Sequence, residues 1–240
     1  MHITSMTPSL CLRYERTWTR IKKQVIKGSW IQWLPSFLYC TFCAVDNIRG
    51  LKWLLAMMSK GQDVAEYFPD VVKNVVRKSV EIKKMVYIYI VHYADYNSAC
   101  RDIALLSINS FQVDLSGGNP LIRGLALRVM TSIRVPDIIQ IQLLAVRTCA
   151  NDASAYVRKC AATALAKLFY LDRDQLPHIK AILEKLLLDS STMVLGSAVV
   201  AFNEVCPLAY ELLHPGYRKL CHLLADIDEW SQVCTAAIHS

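Results

Sequence analysis

The side chains of this 240-residue chain that could do chemistry are its cysteines, its histidines and a repeated series of basic residues. Cys40 and Cys43 have the C-x-x-C spacing of a metal knuckle or a redox pair. A structural zinc site needs four ligands, and no second C-x-x-C or H-x-x-x-H follows. We therefore interpret the two thiols as unrelated, and we expect no metal ion and no other cofactor.

The histidines downstream of this motif carry no catalytic signature. They are His92, His178, His214, His222 and His239. The sequence contains no G-x-x-x-x-G-K-[S/T], G-x-G-x-x-G, G-x-S-x-G or H-E-x-x-H motif. Folding could still bring a cysteine and a histidine together, but the sequence singles out no such pair. We expect surface or lining histidines, no catalytic residues and no enzymatic activity.

A basic residue recurs directly after the apolar residue at the start of a repeated helix pattern, as Lys83, Arg123 and Arg158. We call that apolar residue the anchor of the repeat. One interpretation is a basic surface that meets a partner or an anionic membrane. Its partner-binding candidates are Lys83, Lys84, Arg158 and Lys159. The other is an interior role, in which these side chains pair with acidic residues of the adjacent repeat. We favour the interior role, because Leu195 interrupts the series in the next copy.

These basic residues belong to a helix pattern that recurs at intervals of 40, 35 and 37 residues. Apolar residues at positions 0, 4, 8 and 11 line one face of an α-helix. In the four copies they are Ile82, Val86, Ile90 and Tyr93; Ile122, Ala126, Met130 and Ile133; Val157, Ala161, Leu165 and Leu168; Val194, Ala198, Phe202 and Val205. The residues three positions before the anchors are typical helix N-caps: Ser79, Asn119, Ser154 and Ser191.

A long-period repeat of this kind predicts an array of helix pairs. We expect a helix ending at Gly61, a second through residues 71–76, and then eight more. Their expected bounds are 80–93, 100–115, 119–134, 137–150, 155–171, 177–188, 192–206 and 217–224. A fifth copy places Trp230, Cys234 and Ile238 at positions 0, 4 and 8, so we expect the chain to stop inside a repeat. The predicted fold is all-α, a HEAT/armadillo-type α-solenoid of stacked antiparallel helix pairs.

Charge and composition divide the chain at about residue 46. Residues 1–45 hold six Lys or Arg and one Glu, a net charge of +5 within the total of +7. We expect 1–45 to be an atypical, poorly ordered segment and 46–240 to be the solenoid. The solenoid is nearly balanced in charge, which argues against nucleic-acid binding. Nine scattered cysteines and the lack of a signal peptide or an 18-residue apolar run predict reduced thiols in the cytoplasm and no membrane span.

Several sequence runs resemble the N-terminal trunk of beta-adaptins, the large subunits of heterotetrameric clathrin-adaptor complexes. The runs lie at 68–75, 81–87, 104–108, 121–129, 132–136, 156–159, 204–207, 217–221 and 228–230. The last three look most like the beta subunit of adaptor complex three. The resemblance covers about 46–233 and does not extend to residues 1–45 or to the last seven residues.

The resemblance implies a non-enzymatic scaffold in vesicle-mediated transport. Its implied partners are the second large subunit, the medium and small subunits, and an Arf-type small GTPase. Its implied location is peripheral, on Golgi and endosomal membranes and coated vesicles, with cargo sorted to the lysosome or vacuole. The family's hinge and ear do not appear in this sequence. The alternative is another HEAT-type scaffold, such as a coatomer-like subunit or a transport receptor.

Overall fold

The computed structural model describes residues 44–239, which form twelve α-helices linked by loops and short 3-10 turns. No strand occurs within this range, and the predicted all-α class is confirmed. The helices are α1 Ala44–Ser59, α2 Phe68–Val72, α3 Val80–Tyr93, α4 Ser98–Leu106, α5 Ile108–Leu115, α6 Pro120–Met130, α7 Ile139–Cys149, α8 Ala155–Leu171, α9 Leu176–Leu187, α10 Thr192–Val205, α11 Tyr217–Leu223 and α12 Glu229–His239.

The helices form two layers of a solenoid. We call the helices of the five repeat copies, α3, α6, α8, α10 and α12, the anchored helices. They stack in chain order with α1 in front of them: α1 on α3, α3 on α6, α6 on α8, α8 on α10 and α10 on α12. The partner helices α5, α7 and α9 form the second layer, and each packs strongly against the anchored helix that follows it. Because each repeat buries its apolar side only against its neighbours, the array is the unit of stability.

The predicted apolar stripe is the core of this stack. Of the sixteen residues at positions 0, 4, 8 and 11, all are buried except Ile122, which is half-buried. One apolar cluster extends from Leu51 to Ile138 and a second from Leu127 to Ile227. Both clusters contact Leu115 and Ala145, so the core is continuous along the described array.

The helix N-termini differ from the expectation in one respect. Each predicted N-cap residue does occupy the N-cap with an extended backbone. Only Asn119 accepts a backbone N–H with its side chain, at 3.0 Å from Leu121 N. At the two later copies an aspartate two residues upstream accepts the N–H of the N-cap serine itself, as Asp152 does from Ser154 at 2.8 Å.

Two predicted helix bounds are wrong because the helices end earlier than their apolar patterns indicate. The helix expected over 100–115 divides at Ser107, whose N–H bonds to Ala104 O at 3.1 Å, an i−3 bond that tightens the turn. The helix expected to reach residue 134 ends at Met130. There the buried Gln142 donates from Nε2 to the carbonyls of Met130 at 2.7 Å and Ile133 at 2.9 Å. These bonds satisfy carbonyls that a helix end leaves unpaired.

The segment through Val71 and Val76 is also irregular. The helix α2 tightens into the 3-10 turn Lys73–Val76. Val71 and Val75 are buried, but Val76 is 75% exposed. A 3-10 turn has three residues per turn, so the fourth valine rotates away from the face that an α-helix would have buried.

The fifth copy exists as α12, but its buried face lies one residue later than expected. Trp230, the expected anchor, is 82% exposed, whereas Ser231 and Thr235 are 2% and 0% exposed. Ser231 lies against Gly196 of α10, where an added Cβ would come within 2.8 Å of its Oγ. Because the two helices come this close, only a small side chain fits between them, and the tryptophan points outward.

The Cys40–Cys43 motif and residues 1–43 lie outside the described residues. The boundary expected at residue 46 therefore stays a prediction.

Candidate functional site

The repeated basic residues form ion pairs between consecutive elements of the solenoid. The three pairs are Lys83 with Asp114, Arg123 with Asp152, and Arg158 with Asp189. Each cation lies near the start of an anchored helix. Each aspartate lies in the last turn of the partner helix or in the loop that leads to the next repeat. We call these three pairs the interior pairs.

The guanidinium of Arg123 uses both of its edges. Nε and Nη2 contact Asp152 Oδ2 and Oδ1 at 2.8 and 2.9 Å, and Nη1 donates to the carbonyls of Gly117 at 2.8 Å and Gly118 at 3.0 Å. The side chain thereby joins the loop before its own helix to the loop before the next anchored helix. Such two-point contact with a carboxylate fixes orientation as well as distance.

Arg158 repeats this arrangement one unit later. Its Nε and Nη2 contact Asp189 Oδ2 and Oδ1 at 2.6 and 3.1 Å. Its Nη1 donates to the carbonyls of Asp152 at 2.8 Å and Ala153 at 3.0 Å. Asp189 also accepts the backbone N–H of Ser191 at 2.9 Å. Neighbouring pairs therefore share Asp152, whose carboxylate binds Arg123 and whose carbonyl binds Arg158.

Lys83 occupies the corresponding position in the first copy and is buried. Its Nζ donates to Val75 O at 2.9 Å and to the carboxylate of Asp114. The same carboxylate accepts the hydroxyl of Tyr87. Burial and this hydrogen bond raise the pKa of Tyr87 well above its usual range, so the phenol stays neutral.

The aspartates of the two arginine pairs stay ionised near neutral pH, because their pKa values are lowered. The hydrogen bond from Arg123 lowers the pKa of Asp152. Burial alone would raise the pKa of Asp189, but hydrogen bonds from Arg158 and from Ser191 outweigh it and leave the pKa below its usual value. These carboxylates have no free proton to exchange near neutral pH, and the arrangement serves to fix one repeat against the next.

The partner-binding candidates thus divide into two groups. Lys83 and Arg158 are engaged in interior pairs, which supports the interior interpretation for these two side chains. Lys84 is exposed and Lys159 is half-buried. Lys159 lines a groove between α8, α10 and α12. Lys84 lies seven residues before Val91, which lines another groove, and so shares the side of α3 that Val91 occupies.

Two grooves mark the exposed side of the anchored helices. The first groove, of about 600 Å³, lies between α3, α6 and α8; its lining residues are Val91, Asp95, Thr131, Ser132, Arg134, Lys167, Tyr170 and Leu171. The second groove, of about 400 Å³, lies between α8, α10 and α12, shares Lys167 and Tyr170 with the first, and includes Trp230. The sequence did not predict either groove, because only the basic residue after each anchor was considered as a binding candidate. The polar residues on the opposite face of the same helices could have indicated the grooves.

The remaining histidines and thiols have ordinary surroundings in the described residues. His92, His178, His214 and His222 are exposed, as expected for surface histidines. Within residues 44–239, no three His, Cys, Asp or Glu side chains come close enough to hold a metal ion. Burial raises the pKa of the Cys149 thiol to about 12, which makes it unreactive. No helix over the described range combines the length and the apolar character needed to cross a bilayer.

Comparison with known proteins identifies this solenoid. The family model of the adaptin N-terminal region matches residues 46–235. The chain is 55% identical over 188 residues to the AP-3 complex subunit beta of Dictyostelium discoideum, and 51% identical over 187 residues to the human AP-3 complex subunit beta-1. Each match covers 78% of this chain and 17% of the relative, so the chain spans about a sixth of the length of these relatives.

Structural comparison agrees with the sequence comparison. A homology model of the full-length AP-3 complex in an intermediate open conformation matches with a TM-score of 0.66 and 28% identity, over 90% of this chain and 35% of that chain. A designed armadillo repeat protein matches with a TM-score of 0.61 and 19% identity, over 88% of this chain and 98% of the designed one, which shows the shared fold. The expected resemblance is confirmed, and this chain belongs to the family of the adaptin N-terminal region.

Proposed function

We propose that the chain acts as a trunk segment of the beta subunit of an AP-3-type adaptor complex, with a scaffolding and not a catalytic role. The observation that carries the proposal is the 55% identity to an AP-3 beta subunit over 188 residues. A solenoid suits this role, because its stacked repeats present an extended surface to large protein partners.

The proposed partners are the second large subunit, the medium subunit and the small subunit of such a complex. Similarity to AP-3 beta subunits and to a model of the AP-3 complex supports partners of this kind. Through the complex, the chain would act peripherally on Golgi and endosomal membranes and coated vesicles, recruited by an Arf-type small GTPase, in cargo delivery to the lysosome or vacuole.

Among the basic candidates, we propose Lys84 and Lys159 as the partner contacts, because Lys84 is exposed and Lys159 lines the second groove. Lys83 and Arg158 would contribute indirectly, since their pairs hold the repeats that present the other two. Charge reversal at Lys84 or Lys159 should therefore weaken partner contact and leave the fold intact.

Co-expression of the tagged chain with the other three adaptor subunits tests the proposal. The chain should co-purify with at least one of them and with none of the subunits of a coatomer supplied in parallel. Lys84→Glu and Lys159→Glu should reduce recovery, whereas Arg147→Glu on the exposed side of α7 should not. Recovery with coatomer subunits, or with no adaptor subunit, would contradict it.

A further inference from the structure

Three cations gather where α6 and α8 approach the first groove. Arg128 lies in the last turn of α6, Arg134 follows that helix, and Lys167 projects from α8. Lys167 donates from Nζ to Ser132 Oγ at 2.8 Å. Partial burial lowers the pKa of Lys167, and the charges of Arg128 and Arg134 lower it further. The charges of Arg128 and Arg134 therefore act against the charge of Lys167.

Within the part of the chain that the structure describes, these cations lack the acidic partners that the interior pairs have. Among the described residues, no carboxylate lies within 4 Å of the charged nitrogens of Arg128, Arg134 or Lys167. By contrast, Arg123 and Arg158 on the other side of the same helices are fully engaged. Cations that repel one another and have no carboxylate paired with them favour binding of an anion at this place.

The space beside the cations is large enough for a ligand. The first groove, at about 600 Å³, has the size of typical ligand sites. Its wall carries the ring of Tyr170, which is 65% exposed. The second groove continues from Lys167 and Tyr170 to Trp230, whose side chain is 82% exposed. Two exposed aromatic rings in adjoining grooves offer apolar contacts next to the positive charge.

The charge around the grooves indicates which kind of anion fits. Asp95 lines the first groove on the α3 side, and Glu204 and Asp228 line the second. A broad anionic membrane surface would contact the cations and these carboxylates at the same time, and the carboxylates would repel it. An extended polypeptide can place a single acidic side chain at the cations and keep its other residues neutral.

We propose that the two grooves bind an acidic, extended segment of a partner polypeptide. A carboxylate or phosphate group of this segment contacts Arg134 and Lys167, which line the first groove, and its apolar side chains contact Tyr170 and Trp230. The proposal names a ligand class that the scaffold role does not require, and binding by the isolated chain is measured separately from complex assembly.

A structural explanation competes with this one. Cations near helix C-termini interact favourably with the helix dipole and so stabilise the helix. If that were their whole role, their removal would lower the melting temperature and leave peptide binding unchanged.

Fluorescence anisotropy of the 240-residue chain tests the proposal. The probe is a labelled peptide with one glutamate among leucine and other neutral residues, and its control carries glutamine in place of that glutamate. Arg134→Gln with Lys167→Gln should weaken binding of the glutamate peptide about tenfold or more. Trp230→Ala should weaken it several-fold, and Arg147→Gln should leave it unchanged. Each replaced side chain is exposed, and thermal melting confirms that the variants fold.

Two results would overturn the proposal. One is equal affinity for the glutamate and glutamine peptides, or a glutamate-peptide affinity that the double variant does not change. The other is that the glutamate peptide fails to bind, whereas the chain sediments with phosphatidylserine vesicles and the double variant does not. The cations would then bind a membrane surface. A single Arg134→Gln variant keeps the test decisive if the double variant is unstable.

Discussion

Arg158 on α8 and Asp189 before α10 face each other edge to edge, with Nε–Oδ2 and Nη2–Oδ1 distances of 2.6 and 3.1 Å. The pair joins two consecutive anchored helices through side chains that are 31 residues apart in sequence. Arg123 and Asp152 repeat the same geometry one unit earlier. Each pair fixes how far one repeat rotates against the next.

Replacing Arg158 by methionine should lower the free energy of unfolding by about 3 kcal/mol, because Asp189 would remain largely buried without its paired guanidinium and with only the charge of Lys219 nearby. The two side chains are only 17% and 10% exposed. Arg158→Lys should recover part of this loss, since an ammonium keeps the charge but not the two-point contact. Urea unfolding measures both, with Arg147→Met as the exposed control. A loss for Arg158→Met no larger than for the control would contradict a structural role.

Acid should weaken the arginine pairs. The pKa values of Asp152 and Asp189 are lowered from the ordinary 3.8. A carboxyl whose pKa is lower in the folded state stabilises the fold fully above 3.8 and loses this contribution as the pH falls through the folded pKa. Asp152→Asn should therefore be less stable than the native chain at pH 7 and should converge with it in acid. Thermal melting between about pH 7 and pH 2 measures this, and parallel curves would contradict it.

Ala161→Asp should destabilise the fold by several kcal/mol. Ala161 is 0% exposed at position 4 of its repeat, so a carboxylate there would lose water without gaining a partner. Thr163→Asp, two residues away on the exposed side of α8, provides the control and should change stability by less than about 0.5 kcal/mol. Chemical denaturation of both variants measures this difference. An unchanged free energy of unfolding for Ala161→Asp would place this residue outside the core.

Gly196→Ala should loosen α12 from α10. The added Cβ would come within 2.8 Å of Ile227 Cγ2 and 3.0 Å of Ser231 Cβ, so α12 must move. We expect a loss of about 1–3 kcal/mol and faster amide exchange in α12. Gly118→Ala is the matched control, since its Cβ would meet nothing within 4 Å. Unchanged exchange in α12 would show that the two helices are not held by this contact.

The fold was largely predictable because burial of one helix face leaves a periodic trace in the sequence. The third anchored helix was expected at 155–171 and is observed as Ala155–Leu171. The apolar stripe predicted the core for the same reason, since apolar residues every three to four positions must face the next repeat. Helix ends were less predictable. The bond from Gln142 to Met130 O spans twelve residues, and no local pattern announces it.

The sequence by itself determined the repeat period, the buried stripe, the recurrence of a basic residue after the anchor and the family of the chain, because each depends only on the order of residue types along the chain. Only the tertiary structure decided which charges pair. Arg158 and Lys159 are adjacent in sequence, but the helix turns one toward Asp189 and the other toward the second groove. Likewise, Trp230 fits an apolar pattern, and the close approach of α12 to Gly196 puts Ser231 in the core instead. Such outcomes depend on the space left between elements far apart in the chain.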